Sequence, residues 1–538
     1  MRRTLLVLAA VGAVVVGQSL AAAADDNPQP VDFTHNVLGA PAPDTGAQFG
    51  TAPKVETGTA LCTTATQTPA QADTDCAQST VGPHNETSIA VNPTNPNNMI
   101  GGVNDYQLTL NPDGHVSETI LSQAHVTFDG GATWADYPVF SNAAYQATGD
   151  PGLSFDANGH AYYSTLGFRF VSKANAQNPD VLVSNSGDGG KTWSVVRVAS
   201  GSGVFSSVGD LLDKPYIQAW GNGNAIVTFT DFLEGQKGSF ISATLHSSVT
   251  HDGGQTWSAI NDISGGVAAA SFTTPVRTAT GRIFVSFFNT AHADGRDDFE
   301  VVEVSPSTGA LIGGPFKIAL VHDGVEDAPV AFGRQTYQDS VFRSGDPASL
   351  AADPTNGAHL AAVWSDMRNS PAPAANLSPY ASITNSDVII SQSFDSGTTW
   401  SAPLALAIPN DQFMPWGTFD TSGKLRIGFF DRQYDAANHK YGYTLATETA
   451  PSETPASPVS FSFQQVSTAL SDPTQGDRWF GRNVNANFPH ATAFMGDYSN
   501  VAATPDGGVV AYWTDMRTPA TFAGITRSGQ DAFFAKAT

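Results

Sequence analysis

The phrase TFDGGATW at residues 127–134 returns as SGDGGKTW at 186–193, THDGGQTW at 250–257 and SFDSGTTW at 393–400. On average residue usage a single chance match is expected in well under ~1% of chains this long, so four copies mark a repeat. The pattern has a local explanation as a tight turn. Its Asp can accept backbone N–H and hydroxyl bonds from residues two or three places on. Its Gly admits a positive φ, and its Trp offers a large apolar face to a neighbouring sheet. The four acids, Asp129, Asp188, Asp252 and Asp395, are 59, 64 and 143 residues apart, the last interval spanning two units. A unit of roughly 60–70 residues accommodates four short strands and their turns.

From residue 85 onward, short runs rich in Val, Ile, Phe and Tyr alternate with Gly, Asn, Asp and Pro clusters, and no helical period is sustained. Seven segments open a unit: TSIAVNPTNP, PGLSFDANG, PYIQAWGNG, TPVRTATGR, PASLAADPTNG, MPWGTFDTSG and SNVAATPDGG. The fold class is therefore all-β. A β-propeller of four-stranded antiparallel blades repeats such units radially without exposing a long sheet edge. Seven openings predict seven blades, with six as the alternative. The last unit stops one strand short, and VDFTHN at 31–36 is the candidate to supply that strand and close the ring.

Composition narrows the setting. Acids outnumber bases 49 to 25, for a net charge of −24, which argues against a general nucleic-acid binder or a protein drawn to anionic membranes. Arg2 and Arg3 precede the apolar run LLVLAAVGAVVVG and Ala22-Ala23-Ala24, the pattern of a secretory signal peptide over residues 1–24. No other stretch approaches the ~20 apolar residues of a membrane span. Residues 25–84, rich in Pro, Ala and Thr, read as an irregular arm ahead of a propeller at 85–538. Cys62 and Cys76 lie in that arm without further cysteines and are expected to form one local disulfide in an exported, monomeric protein.

The repeated phrase resembles the Asp box, or bacterial neuraminidase repeat, of the sialidase superfamily. The phrases GDPGLSFDANG, DKPYIQAW, VWSDMR, FFDRQYD and FMGDYSNVAATPDGG are similar to those of secreted bacterial sialidase-like proteins. The resemblance implies a propeller over about residues 86–538, with each box at the turn between third and fourth strands, on the face away from the active site. Asp129, Asp188, Asp252 and Asp395 are then structural. It also implies glycan chemistry, with a Tyr nucleophile helped by a Glu, an Asp acid, and arginines gripping a sugar carboxylate. Sialidases carry Arg-Ile/Leu-Pro on the first inner strand, where this chain has HNETSIAV. The expectation is therefore a glycoside hydrolase acting on extracellular glycans rather than an exo-sialidase.

With the boxes at the bottom, antiparallel order brings the start of each first strand and the end of each second strand to the top. Charged residues gather at those places. Asp150, Asp213, Asp346, Asp497 and Tyr498 are the catalytic candidates. Glycoside hydrolysis needs one protonated carboxyl and one carboxylate, and crowded acids raise one another's pKa. Glu86, Lys214, Tyr216, Arg343, Arg368, Arg432 and Arg517 are candidates to bind substrate, and Tyr106 is a further candidate nucleophile. The recurrence of Asp-x-Arg in VWSDMR and YWTDMR equally fits ion pairs that brace the blade tops. No cofactor is required by this chemistry. A ring of carboxylates could hold Ca2+, although no loop or His pair specifies a metal. The alternative to a hydrolase is a non-catalytic propeller that binds carbohydrate or protein.

Overall fold

A computed structural model describes residues 62–63, 71–74, 82–110, 116–139, 145–172, 175–204, 208–236, 239–291, 296–322, 325–328, 334–338, 340, 342, 347–371, 384–475, 494–522 and 525–537. These residues form seven antiparallel blades and no α-helix. No helix among them is long and apolar enough to cross a membrane. The innermost strands are His84–Val91, Ala147–Phe155, Gly209–Trp220, Ala270–Arg277, Ser349–Ala352, Gln412–Phe419 and Asn500–Ala503. Each pairs with the strand that follows it: Met99–Leu110, Ala161–Phe168, Asn224–Glu234, Ile283–Asn289, Leu360–Asp366, Leu425–Asp431 and Val509–Asp515.

Burial falls from axis to rim, and the sequence of each strand follows that gradient. Second strands such as AYYSTLGF and VVAYWTD are buried at every position, because a neighbouring blade covers each face. The outer strand SVVRVA is exposed or half-buried throughout. The apolar core lies between blades. Tyr106, Tyr162, Leu166, Val181 and Phe229 pack into one such interface, and Ile226, Ile283, Val285 and Val302 into another.

All four box turns join a third strand to a fourth, and they share one set of hydrogen bonds around the acid, with a tryptophan Nε1 bond added in the first, second and fourth. In the second box Ser186 Oγ donates to Asp188 Oδ1 at 2.8 Å and accepts Gly190 N–H at 2.9 Å. Asp188 also accepts the Thr192 N–H and hydroxyl at 2.9 and 2.6 Å. Trp193 Nε1 closes the turn on Gly190 O at 2.9 Å. The box tryptophans then reach other blades: Trp134 lies against Tyr512 and Phe534 of the seventh blade.

The ring is closed by the N-terminal arm. Gln71–Asp73 pairs with Asp531–Ala537 as the outer strand of the seventh blade, while Cys62–Thr63 pairs with Thr133–Trp134 on the first. The closing strand is thus 71–73. Residues 31–36, assigned that role from sequence, lie outside the described residues, as do the 1–24 segment and Cys76. Thr74 seals the seam: its N–H bonds Ala532 O at 3.0 Å, and its hydroxyl lies 2.7 Å from His125 Nδ1 and 2.8 Å from the Tyr512 hydroxyl.

Candidate functional site

Five innermost strands break register at the same point, between Asn85 and Ser88, Gly149 and Gly152, Asp213 and Tyr216, Ser271 and Thr274, and Phe413 and Trp416. The residue inside each break is left-handed without being glycine: Glu86 (φ 54°), Asp150 (59°), Lys214 (50°), Phe272 (63°) and Met414 (48°). Three of them precede proline (Pro151, Pro215 and Pro415), which has no N–H to give a ladder. Such a residue costs roughly 1–2 kcal/mol, so the fold carries strain at five matching places. Strain of this kind clusters at functional sites.

The bulges bring charge together. Lys214 Nζ lies 3.0 Å from Glu86 Oε1, 3.3 Å from Asp150 Oδ2 and 2.8 Å from Asp497 Oδ2, joining four blades through one ammonium. It also sits over the rings of Phe272 and Tyr498, 5.4 and 5.2 Å from their centroids. Lys214 is 5% exposed, Asp497 4%, Asp150 1% and Glu86 0%. Burial by itself would lower the lysine pKa, but the carboxylates of Asp150, Asp497, Glu86 and Asp213 outweigh it and hold the pKa above its ordinary value. The ammonium therefore stays charged. Asp213 accepts the Lys214 N–H at 2.9 Å.

The three carboxylates facing Lys214 are not equivalent. Glu86 and Asp497 each accept a hydrogen bond from the ammonium, and Glu86 accepts another from Asn104 Nδ2 at 2.9 Å. Asp150 touches the ammonium only at ion-pair distance, and neither of its carboxylate oxygens has a hydrogen-bond partner among the described residues.

Aromatic rings wall the cluster. Tyr216 stacks on Trp416 with centroids 5.2 Å apart and meets Tyr498 edge-on at 5.5 Å. The Tyr498 hydroxyl donates to Pro151 O at 3.2 Å. Burial, then the charges of Glu86 and Asp150, push both phenols well above the ordinary tyrosine pKa. Ionised tyrosine is therefore disfavoured at both positions. Tyr106 is fully buried between blades.

The arginines sit apart from this cluster. Arg368 bonds Asp366 through Nε and Nη2 at 2.8 and 2.6 Å, and Arg517 holds Asp515 in the same way. In each blade a tryptophan, Trp364 or Trp513, also donates to that carboxylate. Arg432 is fully buried, 3.3 Å from Asp411, and donates to Gln338 O, Asn438 O and Ser340 Oγ. Each guanidinium thus braces blade tops. Asp431 binds Gln433 and Thr444, and Arg343 and Asp346 lie outside the described residues.

Asn104, an uncharged residue, was not singled out by sequence reasoning. Also missed were Glu234 and Asp387, whose carboxyls burial pushes up to about 7 and about 6. Asp231 is likewise pushed up to about 7, by burial and then by Asp210. Among the described residues no group of three His, Cys, Asp or Glu side chains is arranged to hold a metal ion. Within the central cluster the positive charge is that of Lys214 itself.

No protein-family model and no curated protein matches the chain. Among solved structures it is similar to a Hadza microbial sialidase at 13% identity and TM-score 0.41, covering 79% of this chain and 76% of that one. It is similar to an α-L-arabinofuranosidase from Fusarium graminearum at 11% identity and TM-score 0.39, covering 90% and 98%. An ulvan lyase of polysaccharide lyase family 25 gives 11% identity and TM-score 0.40 over 71% and 79%.

Proposed function

We propose that this protein is an exported, glycan-active propeller, a glycoside hydrolase whose carboxylates are those gathered around Lys214. The observation that carries the reading is Asp150: a carboxylate 1% exposed, on a strained bulge, with no hydrogen bond of its own. A buried acceptor left unbonded is costly, and a sugar hydroxyl or a reacting anomeric centre would supply the missing partner. Asp150 is the acting carboxylate, and Asp497, which accepts a hydrogen bond from Lys214 at 2.8 Å, is its partner. Both touch the same ammonium, at 3.3 and 2.8 Å, so the two oxygens that face it lie within those two distances laid end to end. Asp213 fixes the Lys214 backbone.

One observation favours the alternative of a non-catalytic binding propeller: every charged member of the cluster is at least 95% buried, as in a structural plug of the channel. A hydrolysis screen over sialosides, arabinans, glucans and uronic-acid polymers separates the two. A hydrolase turns over one of them, and Asp150→Asn loses turnover while keeping its fold, because Glu86 and Asp497 still hold the Lys214 ammonium. Silence across the panel, with measurable affinity for one glycan, would favour the binding propeller.

A further inference from the structure

We infer that Asn104 is the positioning residue of this site, the side chain that sets the two carboxylate-bearing bulges of the first and second blades against each other. The inference rests on the reading of Asp150 as the acting carboxylate. Asn104 sits on the strand Met99–Leu110, opposite Asn85, and is 1% exposed. Its Nδ2 donates to Glu86 Oε2 at 2.9 Å, and its Oδ1 accepts the Asp150 N–H at 3.0 Å. Glu86 as a carboxylate can only accept and a backbone N–H can only donate, so the amide has one workable orientation.

Both contacts fall on left-handed residues. The register break between Gly149 and Gly152 takes the Asp150 N–H out of its own sheet, and Asn104 from the neighbouring blade supplies the acceptor. A left-handed Asp would otherwise relax toward a common backbone conformation and carry its carboxylate away from Lys214. At the other end the same amide fixes one oxygen of Glu86 while the ammonium holds the other. Asn104 need not touch substrate. It decides where the two carboxylates stand before substrate arrives, and a side chain with one donor end and one acceptor end is needed for both tasks.

Two variants test this. Asn104→Leu removes both bonds, whereas Asn104→Asp keeps an acceptor for the Asp150 N–H and sets a like charge beside Glu86. Amide hydrogen exchange, read residue by residue, requires no substrate. In Asn104→Leu the Asp150 amide is expected to exchange about tenfold faster, the worth of one buried hydrogen bond, while the ladder amides of Ser88 and Gly102 keep their rates. In Asn104→Asp the Asp150 amide keeps its protection. On whichever glycan the parent hydrolyses, both variants are expected to lower kcat by about tenfold or more and to leave KM within about twofold, as for an interaction that orients the reacting groups. Unchanged Asp150 exchange in Asn104→Leu, or a uniform rise across both blades, overturns the inference. If the parent hydrolyses nothing, the functional reading falls, and the exchange result still decides the role of Asn104.

Discussion

The two faces of this propeller solve the same problem, a carboxylate beside a left-handed residue, in opposite ways. At the bottom, the box acids bind donors within four residues of themselves, and the left-handed positions are glycines such as Gly130, Gly131, Gly189 and Gly190. Strain there is avoided, and each box acid finds its donors inside its own turn. At the top, the left-handed positions are Glu86, Asp150, Lys214, Phe272 and Met414, and their partners come from other blades. Strain there is tolerated and held by contacts across the ring. The difference teaches that the turns are local devices that can be copied from blade to blade. The top is a single assembly that cannot be copied, because the blades that build it contribute different groups.

The sharpest way to break this comparison is to remove the shared ammonium. Lys214→Met leaves Glu86, Asp150 and Asp497 buried without their cation. Removing one partner of a buried ion pair costs about 3–5 kcal/mol, a large share of a typical folding free energy. Urea unfolding at pH 7 should show that loss. It should shrink at pH 5, where an unpaired buried carboxyl, its pKa raised, takes up a proton. A loss below about 1 kcal/mol would mean that the top is not held by that ammonium.

The faces should also part in their response to pH. Asp231, at the top of the third blade, has its pKa raised to about 7, so its neutral form suits the folded state. Its contribution is full below the ordinary carboxyl value of 3.8 and is lost as the pH rises toward 7. Asp231→Asn should therefore stabilise the protein by about 1–2 kcal/mol at pH 8, after discounting for the partial exposure of the carboxyl, and change little at pH 3.5. Asp252, in a bottom turn, is lowered to about 2 by the Thr256 hydroxyl and N–H. Its contribution is present above 3.8 and is lost as the pH falls through about 2. Thermal unfolding across pH 2–9 checks both signs, and a loss at pH 8 in Asp231→Asn would contradict the first.

A smaller effect is expected from deleting one box acid. Asp188→Ala removes bonds to Ser186, Lys191 and Thr192 that are largely exposed, so a cost of about 1 kcal/mol is expected, as for a lost helix cap. The other three turns should keep their exchange protection. A collapse spreading to the neighbouring blades would show that the boxes are coupled after all.

The bottom face was legible in the sequence because the bonds of its box acids close within four residues, so that spacing alone carries them. Direction followed from it: once the boxes marked the bottom, Lys214 and Asp497 could be placed on the opposite rim, and they stand 2.8 Å apart. What sequence did not reveal depends on other blades. Nothing in VNDYQ says that Asn104 will meet an amide 46 residues on. Phe272 and Met414 look like ordinary core residues, and only the shared register break shows them to be equivalent to Asp150. The closing strand was sought in VDFTHN because it has a strand-like pattern. Gln71–Asp73 is three residues long, too short to carry one, and is selected by the free edge of Asp531–Ala537.

The fourth box offers the finest test, because it breaks the bottom-face rule. Ser396 stands where the other boxes have Gly130, Gly189 and Gly253, and it takes the same left-handed turn, φ 61° against 77°, 77° and 78°. Its N–H bonds Ala358 O at 2.9 Å, as Gly130 bonds Asn97 O at 2.9 Å, so the backbone is held alike in both. Ser396→Gly relieves about 1–2 kcal/mol of left-handed strain and gives back about 0.4–1 kcal/mol through the looser unfolded chain. The net gain should be about 0.5 kcal/mol, seen as a small rise in Tm. The same substitution at Asp150 relieves the same strain but removes the carboxylate on which the proposed chemistry depends, so there turnover should vanish. If Ser396→Gly destabilises the protein, the serine side chain is doing something the turn geometry does not require. The distinction between a strain-free bottom and a strained top would then no longer hold at that blade.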